Sequence, residues 1–421
     1  MFFGRGGILS SMRSDCQDGI CTNGIEYQFR DGSVWRSRSY LYYDTEKEVD
    51  GMSEYVVRTK QMEVGYDGKP LIRNIEISLK PGEILTLIGP NGAGKSTILK
   101  SMTRQLKLIG GTVYLGNDIM SRMSGNEVAR KLSVVMTERL RPEMMTCEDV
   151  VSTGRYPYTG TLGILTKEDR NKVREAMELV HTLEFKDRDF TAVSDGQRQR
   201  VLLARAICQE PEIIVLDEPA SFLDIRHKLE LLSVLKNMVL QKNTAVLMSL
   251  HELDLAQKVS DRVICVHGDK IEKYGEPEEI FSSEYIHELY GITTGSYNEL
   301  FGCLEMQRPS GDPRVFVIGG NGKGIPVYRK LQRAGIPFAA GVLHRNDMDY
   351  EVAKVLASAV IPEEPFSPVS RENYEKAKLA MLSCEKVICC TDIFGPGNYK
   401  NRDLLTDAEK AGIPVVYSGQ T

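Results

Sequence analysis

Gly89-Pro90-Asn91-Gly92-Ala93-Gly94-Lys95-Ser96-Thr97 (GPNGAGKST) decides the fold of this 421-residue chain. A glycine, four free positions and then Gly-Lys-Ser form the pattern of a phosphate-cradling loop. The apolar run Ile84–Ile88 precedes it with the character of a strand. Ile98-Leu99-Lys100-Ser101-Met102 follows as a helix start. That strand–loop–helix setting is what the cradle requires. Gly92 and Gly94 reach backbone angles closed to other residues. Their N–H groups then face phosphate oxygens beside a positive helix N-terminus. Lys95 reaches the β- and γ-phosphates, and the Ser96 hydroxyl ligates Mg²⁺. Gly89, Asn91 and Thr97 complete the expected nucleotide-binding set.

Farther along, Ile213-Ile214-Val215-Leu216-Asp217-Glu218-Pro219 is an apolar strand ending in two carboxylates. An acid at Asp217 suits Mg²⁺ held through water. Glu218 suits the general base that polarises the attacking water.

Val193-Ser194-Asp195-Gly196-Gln197-Arg198-Gln199-Arg200 opens a helix just before that strand. Here the chain resembles the ATP-binding cassette family, whose signature is usually LSGGQ. Val193 replaces the Leu and Asp195 the first Gly. The resemblance implies that Ser194, Gly196 and Gln197 contact ATP held by a second copy of the chain. Asp195 puts a negative charge near that phosphate, which is awkward unless its side chain turns away. Ser221-Phe222-Leu223-Asp224 resembles the D-loop that connects the two sites, with Asp224 at the nucleotide. His251, behind an apolar strand, resembles the switch histidine at the γ-phosphate. Tyr66 resembles the aromatic residue that stacks on adenine. The family usually carries a metal-binding glutamine where this chain has Thr137. Its hydroxyl is about two bonds shorter; a water bridges the gap, the loop sits closer, or Glu138 substitutes.

The resemblance covers residues 55–290. It implies an α/β P-loop NTPase fold: a RecA-like core, a helical subdomain and an antiparallel β subdomain. It also implies an ATPase with ATP and Mg²⁺, in which Lys95, Glu218 and His251 are catalytic and Ser96, Asp217 and Thr137 hold the metal. Gly154-Arg155-Tyr156-Pro157-Tyr158 resembles a run found in ATPase subunits of importers for iron siderophores, haem and cobalamin. The implied partners are a second copy in a head-to-tail ATP sandwich, integral-membrane permease subunits and, indirectly, a substrate-binding protein. The implied location is peripheral, on the cytoplasmic face of the plasma membrane. The competing reading is a soluble cassette ATPase acting on nucleic acid or ribosomes. Such proteins commonly carry two cassettes or a long coiled-coil insertion, and this chain has neither.

Composition agrees with a globular chain. A formal net charge of −5 gives no sign of nucleic-acid binding. No apolar stretch approaches the roughly 18 residues needed to cross a bilayer, so a membrane role requires an embedded partner. Nine scattered cysteines suit free thiols in a reducing compartment. Residues 1–51 lack sustained periodicity and read as a disordered tail or a mis-annotated extension. Residues 52–290 read as the ATPase domain, with a helical section over about 142–192, and 291–312 as a linker. Residues 313–421 alternate short strands and helices, which indicates a small doubly wound parallel α/β domain. Its first strand ends in Gly319-Gly320-Asn321-Gly322-Lys323-Gly324. This turn either binds an anion or is purely structural, and Asp347 after the second strand is placed to touch a ribose.

Overall fold

The computed structural model describes residues 9–17, 20–28, 34–40, 54–136, 142, 144–160, 163–221 and 223–418. The chain forms two compact units, Met1–Met52 and Ser53–Thr421. The first holds three antiparallel strands, Leu9–Gln17, Ile20–Gln28 and Val34–Tyr40. These strands lie in the stretch read above as disordered or mis-annotated. Gln17 pairs with Ile20, so only Asp18-Gly19 separates two strands, and Asp-Gly is a strong hairpin signal.

The second unit is built on a six-stranded sheet. Its spatial order is Leu132–Val135, Ile213–Asp217, Ala245–Ser249, Ile84–Ile88, Arg262–His267 and Lys270–Gly275. The first five are parallel and the last is antiparallel. Continuous apolar runs make the three central strands, because both faces are covered. Alternate residues serve opposite layers. Ile84, Ile88, Ile214, Leu216, Val246 and Met248 pack with the helical section and the helix Asp195–Cys208. Leu85, Leu87, Ile213, Val215 and Leu247 pack with the helix Lys95–Met102 and an antiparallel sheet. That sheet runs Lys69–Ile75, Val57–Tyr66, Gly110–Leu115 and Asp118–Ile119.

The helical section is tied down by Arg155. Its guanidinium is buried and donates to Asp169 at 2.9 Å, Glu210 at 2.9 Å and the Cys208 carbonyl at 2.8 Å. Tyr158 lies against it, 4.2 Å from ring centre to guanidinium. Gly154 is required by close approach, since a Cβ there would lie 2.4 Å from the Arg205 carbonyl oxygen. The Gly154–Tyr158 run thus joins helices together.

The third sheet is parallel, with spatial order Ala359–Glu363, Phe338–His344, Val315–Ile318, Lys386–Cys389 and Val415–Tyr417. Helices cover both faces, giving two apolar layers. The stretch read as a linker is itself folded: Ser296–Asn298 and Cys303–Glu305 form a hairpin. Tyr297 of this hairpin is buried, and its hydroxyl donates to Gln257 Oε1 at 2.9 Å. Glu305 pairs with Arg329 at 2.9 Å. Among the described residues, no helix is long and apolar enough to cross a membrane.

Candidate nucleotide site

Parallel register collects the site at the carboxyl ends of the central strands. Asp217 stands beside Ser249, and Ser249 beside Leu87, two residues before Gly89. The chain then turns sharply. Gly89 has φ 143°, and a Cβ on it would lie 2.2 Å from the Val266 carbonyl oxygen. Gly92 has φ 80°, and a Cβ on it would meet nothing within 4 Å, so this side of the loop is open to a ligand. Asn91 is exposed beside it, and Gly94 is the N-cap of the helix Lys95–Met102.

Lys95 is buried, and its ammonium donates to the carbonyls of Gly89 at 2.7 Å and Pro90 at 3.1 Å. Burial holds it below the ordinary lysine range, against the opposing influence of Glu218 and Asp217. The Ser96 hydroxyl donates to Asp217 Oδ1 at 3.0 Å. Asp217 is fully buried, and the same oxygen accepts from the Ser249 hydroxyl at 2.7 Å. A hydroxyl and a carboxylate in contact are hard oxygen donors of the kind Mg²⁺ takes. Thr137, the third expected ligand, lies outside the described residues, as do Glu138 and Phe222.

Glu218 carries φ 49°, a left-handed conformation that strains a non-glycine residue and is held by its surroundings. Its N–H donates to Ser249 Oγ at 2.9 Å, and Ser221 Oγ donates to its Oε2 at 3.1 Å. His251 Nε2 meets Glu218 Oε1 at 2.5 Å. A carboxylate only accepts, so Nε2 carries the proton in that pair. Tyr66 is 51% exposed, and its hydroxyl lies 3.1 Å from Oγ1 of the buried Thr97. Its ring is thereby fixed next to the loop with a face open.

The signature residues have different work in the single chain. Ser194 is exposed and caps the helix Asp195–Cys208, accepting from Gln197 N while Gln197 Oε1 accepts from Ser194 N at 3.1 Å. Gly196 lies half-buried in the first turn. Asp195, the substituted residue, pairs with Arg198 at 2.5 Å. Its charge is engaged on its own helix, which relieves the awkwardness expected above. Asp224 caps the helix Ile225–Lys242, accepting from His227 N at 2.9 Å. The structure brings Lys95, Ser96, Asp217, Glu218 and His251 into one constellation, while Ser194, Gly196, Gln197 and Asp224 stand at two helix starts.

Two contributors had no signal in the sequence. Ser249 touches both acids. Tyr290 accepts the Gly89 N–H at 3.0 Å through its hydroxyl. Burial pushes that phenol up to about 12. Both links join residues far apart in the chain, and only the fold reveals them.

The glycine-rich turn after Val315–Ile318 behaves differently from the phosphate loop. Five of its N–H groups are already taken: Gly320, Gly324 and Ile325 donate to the buried Asp349 carboxylate, Asn321 donates to Asp347, and Lys323 donates to the Gly320 carbonyl. A Cβ at Gly319 or Gly324 would lie 2.5 Å from the Tyr328 hydroxyl. These two glycines therefore make room for the chain itself, and the anion-binding alternative is closed by an internal carboxylate.

The ABC transporter family matches residues 72–221. The MJ0874 family matches residues 338–421. An uncharacterized ABC transporter ATP-binding protein of Methanocaldococcus jannaschii is 38% identical over 277 residues, covering 66% of this chain and 96% of the relative. The iron(3+)-hydroxamate import ATP-binding protein of Bacillus subtilis is 35% identical over 234 residues, covering 56% and 87%. A cobalamin import ATP-binding protein of Halobacterium salinarum is 29% identical over 354 residues, covering 82% and 88%.

Proposed function

This chain belongs to the ABC transporter ATP-binding proteins and is an ATPase, and from that premise we propose that it energises uptake of an iron chelate or cobalamin through a separate membrane permease. The observation that carries the chemistry is the contact of Glu218 with His251 beside the Ser96–Asp217 pair. Relatives named for iron(3+)-hydroxamate and cobalamin import support the substrate class.

In this reading Lys95 swings from the loop carbonyls to the β- and γ-phosphates of ATP, a short move for a flexible amine. Ser96 and Asp217 would hold Mg²⁺, which would neutralise phosphate charge. Glu218 accepts a proton from the attacking water, and His251 steadies Glu218 and senses the γ-phosphate. Tyr66 stacks on adenine. Ser194, Gly196, Gln197 and Asp224 serve the nucleotide of a second copy, with each ATP clamped between two chains. Binding closes the pair only insofar as ATP prefers the closed state.

The permease contact falls to the helical section. Met144, Tyr156 and Ile164 are exposed apolar side chains there, at 95%, 58% and 69%. We read 52–290 as the cassette, 291–312 as its folded connection and 313–421 as an appended domain. The protein would sit peripherally on the cytoplasmic face of the plasma membrane, reaching a substrate-binding protein only through the permease. Co-purification tests the assignment: a polytopic membrane protein supports it, whereas ribosomes or DNA favour the soluble alternative. Glu218→Gln tests the chemistry, with ATP binding retained and turnover reduced about a hundred-fold or more.

A further inference from the structure

The appended parallel sheet has strand order 3-2-1-4-5, counted from Val315–Ile318 as its first strand. Ligands of such sheets sit outside the carboxyl ends of the strands. A cavity of about 340 Å³ opens there. The loops after four strands meet at it: Asn321 after the first, His344, Asn346 and Asp347 at the second, Phe366 and Ser367 after the third, and Gly397 after the fourth. This size lies in the range of small-molecule sites.

The chemistry of the lining limits the occupant. The turn that would cradle a phosphate is filled by the Asp349 carboxylate, with Asp347 on the neighbouring N–H. A phosphate at that turn would face two negative charges and find its donors engaged. The rest of the lining is rich in acceptors. His344 Nε2 meets the Ser367 carbonyl at 2.7 Å. A carbonyl only accepts, so Nε2 is the nitrogen that donates there. Asp347 Oδ1 already accepts from Asp349 N at 2.9 Å as the cap of the next helix, and Oδ2 accepts from Asn321 N at 2.8 Å, which leaves Oδ2 a lone pair for a ligand; the Asn321 and Asn346 amides supply both donors and acceptors. Phe366 stands at the mouth, 92% exposed, with φ 59°. The left-handed backbone holds this aromatic ring at the rim of the cavity, with its faces in solvent where a flat group can stack.

We propose that this cavity binds a nucleoside without a 5′-phosphate, a ribose hydroxyl donating to Asp347 Oδ2 and its base stacked on Phe366. The acid after the second strand is where parallel sheets of this kind hold a ribose, and stacking tolerates any base because every base has a flat face. The glycine turn contributes shape alone, since its charge complement is built in.

Calorimetric titration of the full chain tests this. A saturating non-hydrolysable ATP analogue with Mg²⁺ first fills the cassette site. Adenosine, guanosine, cytidine and uridine are then titrated in turn. At least one is expected to bind, and its 5′-monophosphate to bind about ten-fold more weakly. Phe366→Ala, at an exposed position, is expected to weaken the nucleoside about ten-fold and leave the melting temperature unchanged. Asp347→Ala is expected to weaken ribonucleosides more than their 2′-deoxy counterparts. The proposal is overturned if none of the four nucleosides binds at millimolar concentration, if the monophosphate binds more tightly than the nucleoside, or if Phe366→Ala binds as the parent does.

Discussion

Ser249 Oγ donates to Asp217 Oδ1 at 2.7 Å and accepts the Glu218 N–H at 2.9 Å. One hydroxyl therefore fixes the side chain of one acid and the strained backbone of the next. Ser249→Ala should lower kcat about 10–100-fold, the range for losing a group that orients a metal ligand. KM for ATP should change little, because Lys95 and the loop glycines are untouched. Steady-state ATPase assays at several Mg²⁺ concentrations check this, and added Mg²⁺ should recover part of the loss.

Tyr290→Phe removes the acceptor of the Gly89 N–H, at the point where the phosphate loop begins. A buried N–H left without a partner costs about 1–3 kcal/mol. Thermal unfolding should show that loss, and ATP affinity should fall with it because the loop is less firmly set. Equal melting temperatures and equal nucleotide affinity in the two proteins would remove Tyr290 from the loop's support.

Asp195 and Arg198 form a pair whose purpose is visible only against the family pattern. The ion pair lets a carboxylate stand where the family usually has glycine. In the proposed two-chain ATP clamp, Arg198→Ala removes this ion pair from a carboxylate placed near the phosphate of the second copy's ATP. Turnover should fall about five-fold, the scale of one surface charge interaction. Asp195→Gly in the same chain should restore it. A double variant as slow as the single one would show that Arg198 acts through its contact with the Val193 carbonyl at 3.2 Å instead.

The cassette was largely legible because its motifs are local. Gly89 and Gly92 occupy backbone states that only glycine takes easily, so GPNGAGKST announces its geometry in nine consecutive letters. Asp217-Glu218 ends a strand that is apolar without interruption, and its place in a parallel sheet follows from that. Contacts that join distant parts of the chain left no such trace. Tyr290 lies 201 residues from Gly89, and Ser249 lies 32 from Asp217. The turn Gly319–Gly324 stayed open between an anion site and a purely structural turn because the carboxylate that fills it, Asp349, is 25 residues downstream of Gly324. The three strands within residues 9–40 were missed for another reason: their apolar residues do not alternate regularly, although an Asp-Gly pair, Asp18-Gly19 and Asp31-Gly32, falls between each strand and the next.

Glu363 gives the appended sheet a pH signature. Burial alone would raise its carboxyl, but three donors outweigh burial: Ser370 N at 2.6 Å, the Asn373 amide at 3.0 Å and Glu364 N at 3.1 Å. They pull it down to about 2. The folded form therefore holds its charge more tightly than the unfolded chain does. Its contribution is fully present above the ordinary carboxylate range near 4.3 and is lost as pH falls toward 2. The difference is worth roughly 3 kcal/mol at neutral pH. Acid unfolding of the full chain, followed by hydrogen exchange at residues 359–373, should show this sheet edge opening across that window. Glu363→Gln should open it at neutral pH and flatten the acid dependence. If Glu363→Gln instead leaves protection at pH 7 intact and the acid transition unmoved, the three donors do not stabilise the edge.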